Sequence, residues 1–259
     1  MDWSQKRCVV LDMDGTVYLG HIPIEGAVSF IQRQWNKLDF YFLSNNTSKS
    51  PLTYVDKLNG MGIAAREELL LSPVTPLVDF LRERGITRVY PVGNADFQRD
   101  LQGRMPELQL VEQGAQAVVL AYDTELTYHK LARSAVLLQD SSVLFLATHP
   151  DLVCPSPEGP LPDVGSFISL YATATGRKPQ YIFGKPDPAV LAPLLARYRK
   201  EEMVMVGDRL STDMQLARNA GIDSILVLSG EATRADLAQE EHQPTLVLEH
   251  LGHADKDWA

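Results

Sequence analysis

A parallel α/β fold is predicted by three features of this chain. Short apolar runs recur along it, amphipathic stretches lie between them, and several runs end in Asp, Ser or Gly. Strands alternating with helices build βαβ units and a mostly parallel sheet. The runs are Val9–Leu11, Phe40–Leu43, Val89–Val92, Ala117–Ala121, Leu144–Thr148, Met203–Val206 and Ser224–Leu228. Each is too short for a helix and is bounded by turn residues, which argues for a buried strand. The helical stretches are Gly26–Asn36, Pro51–Met61, Pro76–Arg84, Tyr128–Leu138, Pro188–Tyr198 and Thr212–Ala220. The Pro- and Gly-rich stretch His149–Gly165 reads as a long loop, and loops of that length inside a compact domain are usually functional.

Bulk composition narrows the function. The chain has 259 residues and is 45% hydrophobic, enough for one large domain or two smaller ones. Its 33 acidic against 24 basic residues give a net charge of −9, which argues against nonspecific binding to nucleic acid or anionic membrane. Two cysteines, Cys8 and Cys154, lack metal-ligand spacing, and Cys8 falls in an apolar run. The polar start predicts no signal peptide, and no apolar stretch is long enough to span a membrane, so a cytoplasmic location is expected. The acidic end, residues 254–259, reads as a frayed terminus.

The residues that carry chemistry sit at four strand ends. Behind Cys8–Leu11 comes Asp12-Met13-Asp14-Gly15-Thr16. In open α/β sheets the carboxyl ends of the strands are where ligands bind. Two acids so close are costly unless a cation or a shared proton compensates. A calcium loop is excluded: counted from Asp12, its sixth position is Val17 rather than Gly and its twelfth is Pro23 rather than Glu. A plain turn is the other reading. The second station, Ser44-Asn45-Asn46-Thr47, offers a hydroxyl, amides and backbone N–H groups before a helix starting near Pro51. It reads either as a phosphate cradle or as a polar turn. The third is Gly184-Lys185-Pro186-Asp187-Pro188, whose lysine is a point charge suited to a phosphoryl group or a surface lysine before a helix. A Walker A loop is excluded, because neither its glycine spacing nor a Ser or Thr after Lys185 is present. The fourth is Gly207-Asp208 with Asp213 five residues on. Asp213 reads as a ligand or as a helix cap. Oxygen-only clusters of acids favour Mg²⁺.

Together, Asp-x-Asp-Gly-Thr, Ser-Asn-Asn, Gly-Lys-Pro and Gly-Asp-x-x-x-x-Asp, in that order, resemble the signature of the haloacid dehalogenase (HAD) superfamily of phosphatases. The long insertion between the second and third motifs, with Gly15–Gly20, Ser44–Asn46 and Thr175–Pro179, is similar to the NagD and 4-nitrophenylphosphatase branch, from about residue 6 to about residue 250. The resemblance implies a Rossmann-like core in two parts, residues 1–78 and 180–259, interrupted by an inserted α/β cap over residues 79–179. It implies an Mg²⁺-dependent hydrolysis of phosphate monoesters through an aspartyl-phosphate. In that scheme Asp12 is the nucleophile and Asp14 the general acid and base. Ser44, Asn45, Asn46 and Lys185 hold the transferring oxygens. Asp12, the Asp14 carbonyl, Asp208 and Asp213 surround the metal.

The second acid, Asp14, separates phosphatases from the dehalogenases of the superfamily, whose departing halide needs no proton. In the cap, Thr148–Asp151 and Pro162–Ser166 resemble a segment placed over the active site in this branch. Relatives usually carry Asn at the position of His149 and Gly at that of Asp163. His149 reads as a substrate contact or as structural. The six histidines show no paired helical spacing, so none is read as a metal ligand. A homodimer through the cap is expected by resemblance. A phosphate-sensing protein without turnover is disfavoured by the intact motifs, and a receiver module by the chain's length and insertion. Transfer to an acceptor other than water stays open.

Overall fold

The computed structural model of the chain describes residues 3–156 and 158–256. The chain divides into two units. The first comprises Met1–Ser44, Leu52–Leu71 and Lys185–Ala259, and the second Asn45–Pro51 and Ser72–Gly184.

The first unit is built on a six-stranded sheet in the order Leu246–Leu248, Asp223–Val227, Met203–Gly207, Cys8–Asp12, Asp39–Leu43, Leu70–Leu71. All of its pairings are parallel. Side chains alternate between the faces of a strand, and each face here has its own core. Val9, Leu11, Phe40, Phe42, Val204 and Val206 pack with Phe30 and Ile31 of the helix Ala27–Gln34. Cys8, Val10, Tyr41, Leu43, Met203 and Met205 pack on the other face with Val190, Leu194 and Leu216. Covering both faces is why these strands read as unbroken apolar runs. Burial pushes the Cys8 thiol up to about 12, so it behaves as a small apolar side chain.

The second unit holds a five-stranded sheet, also parallel throughout, in the order Tyr181–Ile182, Leu144–Ala147, Ala117–Leu120, Arg88–Val92, Gln109–Leu110. One face packs on the helices Val74–Glu83 and Ala95–Arg104 through Leu77, Leu81, Phe97 and Leu101. The other packs on Leu138, Val164 and Tyr171.

Several elements differ from the sequence expectation. The units divide at 71/72 and 184/185 rather than at 78/79 and 179/180, because Val74–Glu83 buries its apolar face in the second core and Tyr181–Ile182 pairs with Leu144–Ala147. Residues 45–51 also group with the second unit. The stretch Pro188–Tyr198 breaks into a 3-10 turn, Pro188–Leu191, and a short helix, Ala192–Leu195, since Pro193 has no N–H to carry a continuous ladder. Thr212–Ala220 opens with a π-turn over Leu210–Met214 before the α-helix Gln215–Ala220. The loop after His149 contains a small antiparallel pair, Val153–Cys154 with Leu161–Pro162, and is followed by an unexpected helix, Val164–Thr175. Toward the end of the chain, Leu251–Lys256 forms a 3-10 helix with Leu251 and Ala254 buried, so this part is not frayed; residues 257–259 lie outside the described residues. Among the described residues no helix is long and apolar enough to cross a membrane.

An ion pair ties the first strand's lead-in to its neighbours. Lys6, buried, donates to the Asp223 carboxylate at 2.5 Å and to the carbonyls of Glu201 at 2.7 Å and Met203 at 3.2 Å. Burial opposes ionisation of Asp223, but the bonds from Lys6 and Thr245 outweigh it and hold its carboxyl below the usual value. A carboxyl whose folded pKa lies below its unfolded value of about 3.9 stabilises the fold above that pH and loses the contribution as pH falls through the folded value. Asp223→Asn is therefore expected to lower stability at neutral pH by about 1.5 kcal/mol, the low end for a charged hydrogen bond because Asp223 is about a third exposed. Denaturant titrations should show the gap from wild type closing as pH is lowered from 6 to about 3; a gap constant with pH rules the mechanism out.

Candidate active site

Parallel register brings the strand ends of the first unit to one edge. Asp12 lies opposite Leu43, so Ser44 follows just beyond it, and Leu11 lies opposite Val206, which brings Gly207-Asp208 to the same edge. Val206 in turn pairs with Ile225 and Gly207 with Leu226, which delivers Ser229-Gly230-Glu231 there as well.

Lys185 is the centre of this edge. Its buried ammonium donates to Asp12 Oδ1 and, at 2.7 Å, to Asp213 Oδ1. Burial disfavours the charge, but the Asp12 and Asp213 carboxylates outweigh it and raise the lysine's pKa above its usual value, so it stays protonated. Burial pushes the Asp12 carboxyl well up; Lys185 pulls it down, and Asp213 and Asp208 push it up again. Burial, aided by Asp213, pushes Asp208 up to about 6, against the Glu231 N–H, Arg209 and Lys185. The Glu231 N–H donates to Asp208 Oδ2 at 2.7 Å, whereas Asp208 Oδ1 is buried without a hydrogen-bond partner. Asp213 Oδ2 accepts the Arg209 N–H at 3.1 Å.

Carboxylate oxygens of Asp12, Asp208 and Asp213 lie within 4.8 Å of one another. Three carboxyl groups share one ammonium here, an excess of acids that a divalent cation suits. The unpartnered Asp208 Oδ1 and the all-oxygen donor set fit such an ion. Asp14 is not in this group: its side chain is exposed. Its loop is a tight turn in which Gly15, at φ 89°, donates to the Tyr18 carbonyl at 2.7 Å. Ser44 is half-buried, and its N–H donates to the Leu71 carbonyl at 3.2 Å.

Asn45 and Asn46 group with the second unit. There the Asn45 amide donates to Asp151 at 3.2 and 3.3 Å, and Asn46 Oδ1 accepts from the N–H and hydroxyl of Ser48 at 2.9 and 2.7 Å. His149, read from the sequence as a substrate contact or as structural and not as a metal ligand, lies with Asp151 and Asp163 in a second group of donor atoms within 4.8 Å of one another. Helical spacing does not reveal it because all three residues are on loops.

Sequence reading missed Ser229, Gly230 and Glu231. The Ser229 hydroxyl donates to the Gly15 carbonyl at 2.7 Å, and Glu231 pairs with Arg209 at 3.0 Å. A side chain on Gly230 or Gly15 would collide with the Asp208 carboxylate, and one on Gly207 with that of Asp213. The signal was available: the run Ser224–Leu228 ends in Ser-Gly, as the other runs at this edge end in Asp or Ser.

A parallel sheet with a lysine-clamped carboxylate and acids for a cation at its carboxyl edge suits an enzyme of phosphoryl chemistry. Comparison with known proteins bears on the particular family. The model of haloacid dehalogenase-like hydrolases matches residues 9–104, and a HAD-hydrolase-like model matches residues 182–254. An acid sugar phosphatase of Staphylococcus haemolyticus is 31% identical over 252 residues, covering 95% of this chain and 94% of that one. The crystal structure of a 4-nitrophenylphosphatase from Thermotoga maritima superimposes with a TM-score of 0.93 at 36% identity, covering 100% of both chains. A glycerol phosphate phosphatase from Mycobacterium tuberculosis, solved in complex with magnesium, has a TM-score of 0.88 at 29% identity, covering 96% of this chain and 77% of that one. The chain belongs to the haloacid dehalogenase-like hydrolases, in their NagD and 4-nitrophenylphosphatase branch, and is a phosphatase.

Gly230→Ala should displace the Asp208 carboxylate without straining the backbone, because Gly230 has no positive φ. Divalent-cation affinity is expected to fall about 10–100-fold, the usual cost of disturbing the support of a ligand. Calorimetric titration with Mg²⁺ beside a melting curve checks it; unchanged affinity in a folded variant removes Gly230 from this role.

Proposed function

We propose that the protein hydrolyses small phosphate monoesters, of sugars, nucleotides or other metabolites, through an aspartyl-phosphate on Asp12, with Mg²⁺ as cofactor. The observation that carries this reading is the Lys185 ammonium bonded to Asp12 and Asp213 beside Asp208. The names of the relatives, which include sugar, nitrophenyl and glycerol phosphates, support a small monoester as substrate, and the magnesium complex of one supports the ion.

An Asp12 carboxylate oxygen attacks phosphorus, and the bond to the leaving oxygen breaks as Asp14 gives that oxygen a proton. Asp14, now ionised, takes a proton from a water that attacks the acyl phosphate; inorganic phosphate leaves and the Asp12 carboxylate is restored. Splitting the displacement in two lowers each barrier. The exposure of Asp14 suits a group that exchanges protons with leaving group and water. Lys185 keeps its charge and offsets the phosphoryl oxygens; Ser44 adds a hydroxyl. Asn45 and Asn46 are assigned to the phosphoryl oxygens by their motif. Asp12, Asp208, Asp213 and the Asp14 carbonyl would hold Mg²⁺, which would supply charge neutralisation between the two anions. Cytoplasmic residence and pairing of two copies through the second unit complete the proposal; exposed Leu152, Val153, Leu161 and Leu170 in that unit support the pairing.

Asp12→Asn is expected to abolish phosphate release from a panel of monoesters in Mg²⁺ while leaving the melting temperature close to wild type. Wild-type turnover in this variant ends the nucleophile assignment. Asp14→Asn should slow phosphorylation of the enzyme about 10²–10⁴-fold with an alkyl phosphate and much less with 4-nitrophenyl phosphate, whose leaving group needs no proton. Rapid-quench measurements of the first turnover decide this; equal losses on both substrates remove Asp14 from the acid role.

A further inference from the structure

We propose that Thr47, Asn94 and Asp151 are positioning residues, through which the second unit holds the phosphoryl-binding segment of Asn45 and Asn46 in place for the reaction. The proposal rests on the reading that Asn45 and Asn46 meet the phosphoryl oxygens.

Residues 45–51 follow the first unit's strand Asp39–Leu43 in the chain, yet they group with the second unit. Residues 45–50 are neither helix nor strand, so no backbone ladder fixes them. Side-chain bonds take that role, and they come from beyond the carboxyl ends of three adjacent strands of the second sheet. Asp151, after Leu144–Ala147, accepts the Asn45 amide at 3.2 and 3.3 Å on its two oxygens. Tyr122, after Ala117–Leu120, donates its N–H to the Thr47 hydroxyl at 3.1 Å. Asn94, after Arg88–Val92, donates its amide to the Ser48 carbonyl at 2.7 Å. The strands lie side by side in that order, so the segment crosses the edge of the sheet strand by strand. Asn45, Thr47, Ser48, Asn94 and Tyr122 are all buried.

The anchors are braced in turn. Asn94 Oδ1 caps the helix Ala95–Arg104 by accepting the Phe97 N–H at 3.1 Å, which fixes the direction of its amide. The Lys130 ammonium joins two of the strand ends, donating to the Gly93 carbonyl at 3.1 Å and to Asp123 at 2.8 Å. The Asp151 carbonyl accepts the Gly165 N–H at 2.8 Å. A side chain on Gly184 would come within 2.5 Å of Asn45 Oδ1, so backbone confines the amide that Asp151 binds. Asn46 is held within the segment, where its Oδ1 accepts from Ser48.

Apolar side chains could cover this edge with no buried bond left to go unmade, a loss that is costly for polar ones. Bonds of set length and direction instead select one placement of the backbone. Phosphoryl transfer depends on such placement, because a contact misplaced by about 1 Å can cost about 10²-fold in rate. The second unit thereby sets how the phosphoryl group is held, apart from any part in choosing the leaving group.

The test uses the full chain in Mg²⁺ with inorganic phosphate as the calorimetric probe. Thr47→Val keeps the shape of the side chain and takes the acceptor from the Tyr122 N–H. Phosphate affinity is expected to fall about 3–10-fold, the scale of one neutral hydrogen bond. The value of kcat/KM should fall by a common factor on 4-nitrophenyl phosphate and on a sugar phosphate, since the two share only the phosphoryl group. Thr47→Ser, which returns the acceptor, should restore both. A merely structural loss lowers the number of binding sites per chain and leaves the affinity of the rest unchanged. Asn94→Asp, which keeps the helix cap and removes the donor to Ser48, is the second variant should Thr47→Val fail to fold. Unchanged phosphate affinity in a folded variant, or losses that differ between the two substrates, overturns the proposal. Asn46→Ala separates it from the reading beneath it. A loss of phosphate affinity in Asn46→Ala but not in the anchor variants leaves that reading standing and overturns the positioning role; no loss in Asn46→Ala overturns both.

Discussion

The ammonium of Lys185 between Asp12 and Asp213 is the constraint on which the rest of the first unit depends. A charge taken out of water costs several kcal/mol unless it is paired and hydrogen-bonded. Here three carboxyl groups share one ammonium at a buried edge, and Asp208 Oδ1 has no hydrogen-bond partner, so the pairing is incomplete. The sheet holds the groups there regardless. Asp12 and Asp208 follow strands whose register is fixed by apolar side chains packed on both faces. A slip of one residue would turn every one of those side chains to the wrong face, which costs far more than the repulsion it would relieve.

Space is the second condition. Asp208 fits only because positions 15 and 230 have no side chain, and Asp213 only because position 207 has none. The π-turn at Leu210–Met214 belongs to the same arrangement. It lets Asp213 accept the Arg209 N–H while its other oxygen meets Lys185. A wide turn inside a helix is a local cost that proteins keep at functional positions.

The sheet and the acids were legible in the sequence because both follow local rules. Buried parallel strands are continuous apolar runs, and their ligand-bearing ends are polar residues just after them, so Asp12, Asp208 and Ser44 stand out without knowledge of any neighbour. Lys185 stands out only through its flanking Gly and Pro. Two-residue strands such as Leu70–Leu71 carry no periodicity at all, and Leu246–Leu248 is only half-buried at the sheet's edge. The helix Ala95–Arg104 is too polar for an apolar stripe to announce it; its mark is the Asn94 cap, whose side chain accepts the Phe97 N–H. What the chain hid altogether were partners distant in sequence. Glu231 on Asp208 and Asn45 on Asp151 are joined by the fold and by nothing in the spacing of their residues.

Two groups of acids in one chain differ in a way that matters for any measurement of metal dependence. The first offers oxygen alone, and hard ions suit it; the second adds an imidazole, and that shifts preference toward ions with affinity for nitrogen. A chelator strips ions without regard to site. Loss of activity in EDTA therefore reports that some ion matters and does not say where it sat. Substitution at Asp208 removes an oxygen donor from one cluster and leaves the other's donors intact, since the two share no residue. Assignment of an ion to turnover follows from that independence of donor sets: such an ion must follow Asp208.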